Sequence, residues 1–498
     1  MVAYAVWHEE QEGQATMRFI TDGPRIRDEF GRHRVFHGIN LVQKGQRSST
    51  DEGTFTERGF EGEWDPYDIV DLAARGFTLI RLGVMWAAVE PRPGEYDEAY
   101  LDWLASQLDL IHHSGMVALL DAHQDLYSQR FSDGAPNWAT LTSREYSPAD
   151  LWSDAYLESP AVHEALDAFW ANTPGPGGVG LQDRFAAMWA HVVRRLGDHP
   201  AVLGYDLLNE PAPGAAAQEI FGTVLHVFAQ STGQEFEQLL ADFSDPHRKF
   251  SQLEHLENTE VHRAIGDTLS PLLEQFETTS VHPFMTKVAR AVREASDGGI
   301  IAREHNYFAN LGIPSGQPAL DDDNWVYSPH GYDLTVDTEA ITMSSNTRVR
   351  TIFSRCAQTA ERLAVPVIVG EWGALTLADG VGDHGIFLLD EFDSYGWSWT
   401  YWVWEPGFAE SEAAQTLTRP RPIAFAGDGQ SWHATQTSLS ASWAGAQGPE
   451  PSVFFIPSGV LEASHVRVSR DGEPVSAVAN GSWLSVPAGE GAFELRIG

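Results

Sequence analysis

At 498 residues the chain exceeds one ordinary domain and fits a barrel of the (β/α)8 size with a smaller module attached. A formal net charge of -38 argues against nucleic acid or an anionic membrane as a partner held by general electrostatics. The single cysteine, Cys356, excludes an intrachain disulfide, and no apolar run of about 18 residues reads as a transmembrane helix.

The N-terminal stretch MVAYAVWHEEQEG has a short apolar core and acidic flanks. It does not read as a secretory signal. The expected compartment is therefore the cytoplasm by default, or the exterior if a leader was removed ahead of Met1.

Eight apolar runs follow in order. They are VFHGIN from Val35, FTLIRLG from Phe77, MVALLDAH from Met116 and VLGYDLLNE from Val202, then GIIAREHN from Gly299, WVYSPHGY from Trp325, VPVIVGEWG from Val365 and SWTYWVWE from Ser398. Helix-patterned segments separate most of them, which implies βαβ units and a parallel sheet; eight repeats predict closure into a barrel. Most runs end in polar or aromatic residues, and in a barrel those ends form the catalytic face.

Two connections are too long for ordinary βα loops. One runs from Leu126 to about Gly180, the other from Ala212 to about Ser296. The second contains helical spacing in EIFGTVLHVFAQ, FEQLLADF, IGDTLSPLLEQF and MTKVARAVREA. Both leave the catalytic face and are expected to wall it. Their aromatics Phe131, Trp138, Trp152, Phe169, Trp170, Phe221, Phe228, Phe243 and Phe284 are candidates for an apolar channel, against the plainer role of core packing. Cys356, in the helical pattern TIFSRCAQTAERL, is expected to be inert packing.

After about Thr416 the pattern changes to short alternating strands broken by Asp-Gly, Asn-Gly and Pro turns. The predicted architecture is thus α/β: a (β/α)8 TIM barrel over residues 1–415 and a C-terminal antiparallel β-sandwich over residues 416–498.

Two runs deliver a glutamate at the strand end: Glu210 in YDLLNEP and Glu371 in VIVGEWG. A pair of carboxylates at a barrel mouth is what glycosidic cleavage needs, one as proton donor and one as anion at the anomeric carbon. Arg81, which cannot deprotonate, and the phenol of Tyr332 suit the task of keeping Glu371 ionised. Glu210 is expected to carry the proton, with His330 as a partner sensing its charge. Asn209 precedes the acid and is placed to hydrogen-bond a sugar 2-hydroxyl. Trp402 and Trp404 lie two apart on the last run and should share one orientation, with Trp399 facing the other way; one of the pair is expected to stack on sugar.

The motifs RLGVMW, DAHQD, LLNEP, HGY, GEWG and YWVWE, in that order, resemble the cellulase-like family 5 of glycoside hydrolases. The resemblance implies Glu210 as acid/base and Glu371 as nucleophile, with Arg81, His123, His330, Tyr332 and Trp402 around them. GVMWAAVEPRPGEYD, LLDAHQDLYS, GLQDRF and the trailing all-β module resemble the endoglycoceramidases within that family. This narrower resemblance implies that Lys44, His123 and Asp125 contact the first sugar. The segment after Lys44, GQRSSTDEGTF, departs from the Pro- and Tyr-rich stretch expected there.

The expected activity is retaining hydrolysis of the β-glycosidic bond between oligosaccharide and ceramide in glycosphingolipids. One alternative is a β-glucosidase or endoglucanase acting on steryl glucosides, simple glucosylceramide or soluble β-glucans. Another is a non-catalytic carbohydrate-binding barrel, against which the intact glutamate pair argues. No cofactor and no metal are expected, since the histidines lack ligand-spaced partners. The expected partner is the glycosphingolipid, with no nucleic acid, at most transient contact with membrane or micelle, and a monomeric state.

Overall fold

The structure, a computed structural model, describes residues 18–46, 55–243, 245, 248–376 and 378–498. The expectation resting on MVAYAVWHEEQEG lies outside the described residues, as does that on most of the segment after Lys44.

The eight apolar runs form one eight-stranded parallel sheet. In chain order its strands are His37–Leu41, Leu79–Met85, Val117–His123, Val202–Asp206, Ile300–Arg303, Trp325–Tyr327, Ile368–Val369 and Ser398–Tyr401. The sixth and seventh strands close the barrel through a parallel bridge between Tyr327 and Val367, with the Tyr327 N–H donating to the Pro366 carbonyl at 3.0 Å. Both continue beyond the bridge: His330–Gly331 pairs with Glu371–Trp372, so that His330 lies opposite Glu371.

The strands are buried on both faces, which is why they read as nearly unbroken apolar runs. The two-residue period then sorts the interior into layers. Leu79, Leu119, Leu203, Ile300, Val326 and Ile368 form an apolar layer with Phe19, Ile26 and Phe36. Two residues further along, Arg81 and Asp121 begin a charged layer, fully buried at 0% exposure each. The interior thus passes from grease to fixed charge toward the C-terminal rim.

The second long connection forms the helices Ala216–Thr232, Phe236–Phe243, Thr259–Phe276 and His282–Ala295, matching the helical spacing in its sequence. The first three share a small core of their own, including Ile220, Leu225, Phe228, Leu239, Leu269 and Leu273. The fourth packs on the barrel helix Leu181–Leu196. Cys356 is buried on the helix Asn346–Leu363, where burial pushes its thiol up to about 12.

The C-terminal residues form antiparallel sheets whose inner faces share one core, with Trp443 stacked on Phe493 at 4.9 Å and Phe425 against Phe454. Three short strands from the other end of the chain, Ile20–Asp22, Arg25–Arg27 and His33–Arg34, extend one of these sheets. Arg34 pairs with Ala424 and His33 with Phe425. These strands are too short to show a sequence period, and no apolar run announced them.

Candidate active site

The barrel rim brings Glu210 and Glu371 together. One carboxylate oxygen of each lies within 4.8 Å of the other and of a His330 ring nitrogen. Glu210 is 6% exposed and Glu371 4% exposed. The local sequence explains both placements. Glu371 continues the seventh strand beside His330, and Gly370 before it leaves room: a Cβ there would stand 2.7 Å from His330 Nε2 and from Ser328 Oγ. Asn209-Glu210-Pro211 begins no helix. The Asn209 N–H donates to the Ala122 carbonyl at 3.0 Å, Gln124 Nε2 donates to the Asn209 and Glu210 carbonyls at 2.8 and 3.1 Å, and Glu210 adopts φ +43°.

Arg81 lies beneath the pair. Its guanidinium donates to Glu371 Oε1 at 2.7 Å, Glu304 Oε1 at 2.8 Å, Asp206 Oδ2 at 2.9 Å, Asn209 Oδ1 at 2.9 Å and Asn40 Oδ1 at 3.0 Å. It also lies 2.8 Å from Asp121 Oδ1. Burial opposes its charge, but Asp121 and Asp206 outweigh burial and hold its proton well above the ordinary range. Tyr332 donates to the other oxygen of Glu371 at 2.7 Å. Burial pushes Glu371 above the ordinary carboxylate range and Glu210 adds to this, while His330 and Arg81 pull it back.

His330 Nδ1 is 3.0 Å from Glu210 Oε1 and 3.5 Å from Glu371 Oε2. Asn310 Nδ2 donates to the same oxygen of Glu210 at 3.0 Å. His123 stacks on Trp402 with centroids 5.2 Å apart and planes 12° apart. Its Nδ1 meets Asp121 Oδ2 at 2.8 Å, and Asp121 and Asp125 overcome burial to raise it to about 10. Lys44 is ion-paired with Asp125 and lies over the Trp402 ring at 5.0 Å. Burial disfavours charge on Asp125, but Lys44 and His123 hold it at about 2.

A cavity of about 410 Å³ opens above the pair. Lys44, His123, Asp125, Glu210, Tyr332, Glu371 and Trp402 line it. Arg81, Asn209 and His330, at 0%, 1% and 0% exposure, sit below the lining instead. Asn209 gives Oδ1 to Arg81 and one Nδ2 hydrogen to the Gln124 carbonyl at 3.0 Å. The rest of the lining is largely apolar, with Leu157, Phe221, Phe243, Phe250, Leu253 and Leu311, though Asp154, Glu158, Lys249 and Asp337 also reach it.

Of the aromatics singled out in the sequence, Trp152, Phe221 and Phe243 line this cavity. Phe131, Phe169, Phe228 and Phe284 are core, and Trp138 and Trp170 pack against the main core. The shared orientation expected of Trp402 and Trp404 does not hold. The last strand ends at Tyr401, so its alternation stops there; Trp404 packs edge-on to Trp64 at 6.1 Å, away from the cavity. Trp399 packs outward against Trp372 and His37.

Sequence reasoning missed Asp121, Asp206, Glu304 and Asn310. The signal for the first two was a charged residue inside an apolar run, LLDAH and GYDLL, and for Glu304 the EHN ending of the fifth run. Among the described residues three His/carboxylate groups are spaced to hold a cation: His123, Asp125 and Asp133; Asp206, Glu304 and His330; Glu210, His330 and Glu371. Lys44 already sits on the carboxylates of the first, and Arg81 on carboxylates of the other two.

The chain matches the model of Cellulase (glycosyl hydrolase family 5) over residues 49–407. It is 27% identical over 424 residues to Endoglycoceramidase I of Rhodococcus hoagii (strain 103S), covering 82% of this chain and 73% of that protein. Its fold matches endo-glycoceramidase II from Rhodococcus sp. in its ganglioside GM3 complex with a TM-score of 0.73 at 22% identity, over 96% of this chain and 99% of that one. The lactosyl-enzyme intermediate of the same enzyme matches with a TM-score of 0.70 at 23% identity, over 95% and 98%. With a family match over most of its length and a paired-glutamate rim on a parallel barrel, this chain belongs to glycosyl hydrolase family 5, the cellulase family.

Proposed function

We propose that this glycoside hydrolase cleaves the β-linkage between glycan and ceramide in glycosphingolipids, with retention of configuration. The observation that carries the reading is a single cavity lined both by Glu210 and Glu371 with their polar neighbours and by the apolar side chains Leu157, Phe221, Phe243, Phe250, Leu253 and Leu311. The named activity of the Rhodococcus relative supports the same substrate class. Separations of about 5–5.5 Å between carboxyl groups belong to retaining enzymes and wider ones to inverting enzymes; the close approach of this pair supports retention.

In the first step Glu371 attacks the anomeric carbon and the bond to the ceramide oxygen breaks, while Glu210 gives that oxygen its proton. Arg81 and Tyr332 hold the attacking carboxylate by one oxygen each. In the second step Glu210, now basic, takes a proton from water, whose oxygen displaces Glu371. The cationic His123 and Lys44, with Asp125, offer donors and an acceptor to the hydroxyls of the sugar, and Trp402 an aromatic face.

Incubation with lactosylceramide, a ganglioside, a steryl glucoside and soluble cello-oligosaccharides tests the reading. Release of an intact oligosaccharide plus ceramide is expected. Cleavage of soluble glucans alone would replace it with an endoglucanase.

A further inference from the structure

Glu304 follows the fifth barrel strand, has no exposed surface and takes no part in the chemistry above. Its oxygens serve three neighbours. Oε2 accepts the backbone N–H of Glu210 at 2.6 Å. Oε1 accepts from Arg81 Nη2 at 2.8 Å and lies 3.2 Å from His330 Nε2. Each neighbour bears on the reacting pair: Glu210 belongs to it, Arg81 donates to Glu371, and His330 touches both glutamates.

The backbone at Glu210 adds a second reason. Its φ of +43° is a left-handed conformation that a residue with a Cβ rarely adopts. Such a conformation is strained and persists only where the surroundings impose it. An inward N–H needs an acceptor in the same place, and Glu304 is that acceptor.

We propose that Glu304 is a positioning residue for the hydrolysis, fixing the backbone of Glu210 while tying His330 to Arg81. The proposal rests on Glu210 being the acid/base. It acts through neighbours and not on substrate, since Glu304 is absent from the cavity lining.

The charges around His330 make the link measurable. Glu210, Glu304 and Glu371 approach its ring, the His305 ring accepts its backbone N–H, and Arg81 and Asp206 lie behind Glu304. Burial disfavours the imidazolium, but Glu304 and Glu371 outweigh it and hold the proton well above the ordinary imidazole range. Burial pushes Glu304 well up as well, while His330 and Arg81 pull it back. His305 is held neutral by burial, down to about 3.

The test compares wild type, Glu304→Gln and Glu304→Ala on an alkyl β-lactoside and a dinitrophenyl β-lactoside. Both are soluble, so a wrong lipid assignment leaves the result readable. With Glu304→Ala, kcat on the alkyl lactoside should fall about 100-fold with little change in KM, and much less on the dinitrophenyl lactoside, whose departure needs no proton. With Glu304→Gln, which fills the same space without the charge, the basic limb of the kcat profile should move to lower pH. Should the alanine variant not fold, the glutamine variant decides by that limb alone. Equal losses on both lactosides with an unmoved profile, or unchanged kcat throughout, would overturn the proposal. If Glu210→Ala itself loses equally on both lactosides, the acid/base assignment is at fault instead.

Discussion

Tyr332 gives its phenolic O–H to Glu371 Oε2 at 2.7 Å, leaving Glu371 Oε1 to the guanidinium below. The carboxylate is therefore gripped from two sides while its face toward the cavity stays open. Glu371→Gln keeps the volume and removes the nucleophile. Turnover should fall at least about 10⁴-fold with circular dichroism and Tm close to wild type. Wild-type turnover by a clean preparation would remove Glu371 from the role.

Glu210→Ala should separate the two chemical steps. Loss on ceramide or alkyl leaving groups should reach about 10²–10⁴-fold. An activated aryl glycoside should largely escape the first-step loss, and azide should rescue the second step by replacing water, giving a β-glycosyl azide. An α-azide product would rule out retention.

The acid limb of activity should report Glu371. Burial pushes it above the ordinary carboxylate range, and only the ionised form attacks, so activity falls as pH drops through that raised value. His330 is the largest influence pulling the other way. His330→Asn removes a cation that favours the anion, and the acid limb of kcat/KM should move to higher pH. A shift to lower pH would contradict the electrostatic account.

His123 links pH to stability. Its folded value, about 10, stands above the ordinary imidazole value of 6.5 because Asp121 and Asp125 outweigh burial. A group raised on folding stabilises fully below its unfolded value and loses that contribution as pH rises through the folded one. Tm should therefore decline between pH 6.5 and 10, and His123→Asn should flatten that decline. Thermal melts across this window check it.

The apolar residues of the cavity lining should affect lipid substrates selectively. Phe250→Ala should raise KM for a glycosphingolipid about 10-fold, in line with about 1.5–3 kcal/mol for a buried large apolar side chain, and leave a soluble aryl lactoside within about twofold. Equal effects on both would place Phe250 away from the aglycone path.

The barrel was legible because its strands are buried on both faces. That burial demands apolar runs, and a run ending in a polar residue marks the rim. The helices of the second long connection were legible from their spacing, as in EIFGTVLHVFAQ. Which of their aromatics face the cavity was not: Phe221 and Phe228 lie on one helix, yet the first lines the cavity and the second fills the core these helices share. That choice depends on what each helix face meets, which a local period does not encode. Glu304 was hidden for a similar reason. A lone glutamate after a strand looks like a solvated rim residue until the backbone of another strand end points at it. Trp404 misled because the alternation used to place it assumes a strand that in fact stops at Tyr401.

The pairing of Arg34 with Ala424 joins positions 390 residues apart, and Val35 N–H to Ile423 carbonyl makes the same join at 3.1 Å. The seam sets an order of events during synthesis. Its N-terminal half emerges from the ribosome early and must wait, edge unpaired, until the strand Arg421–Phe425 has been made. A nascent chain halted before residue 420 would hold every barrel strand yet lack the strand that completes this edge. Deleting the last module for convenience would likewise leave an open sheet margin at the base of the barrel, a ready template for self-association.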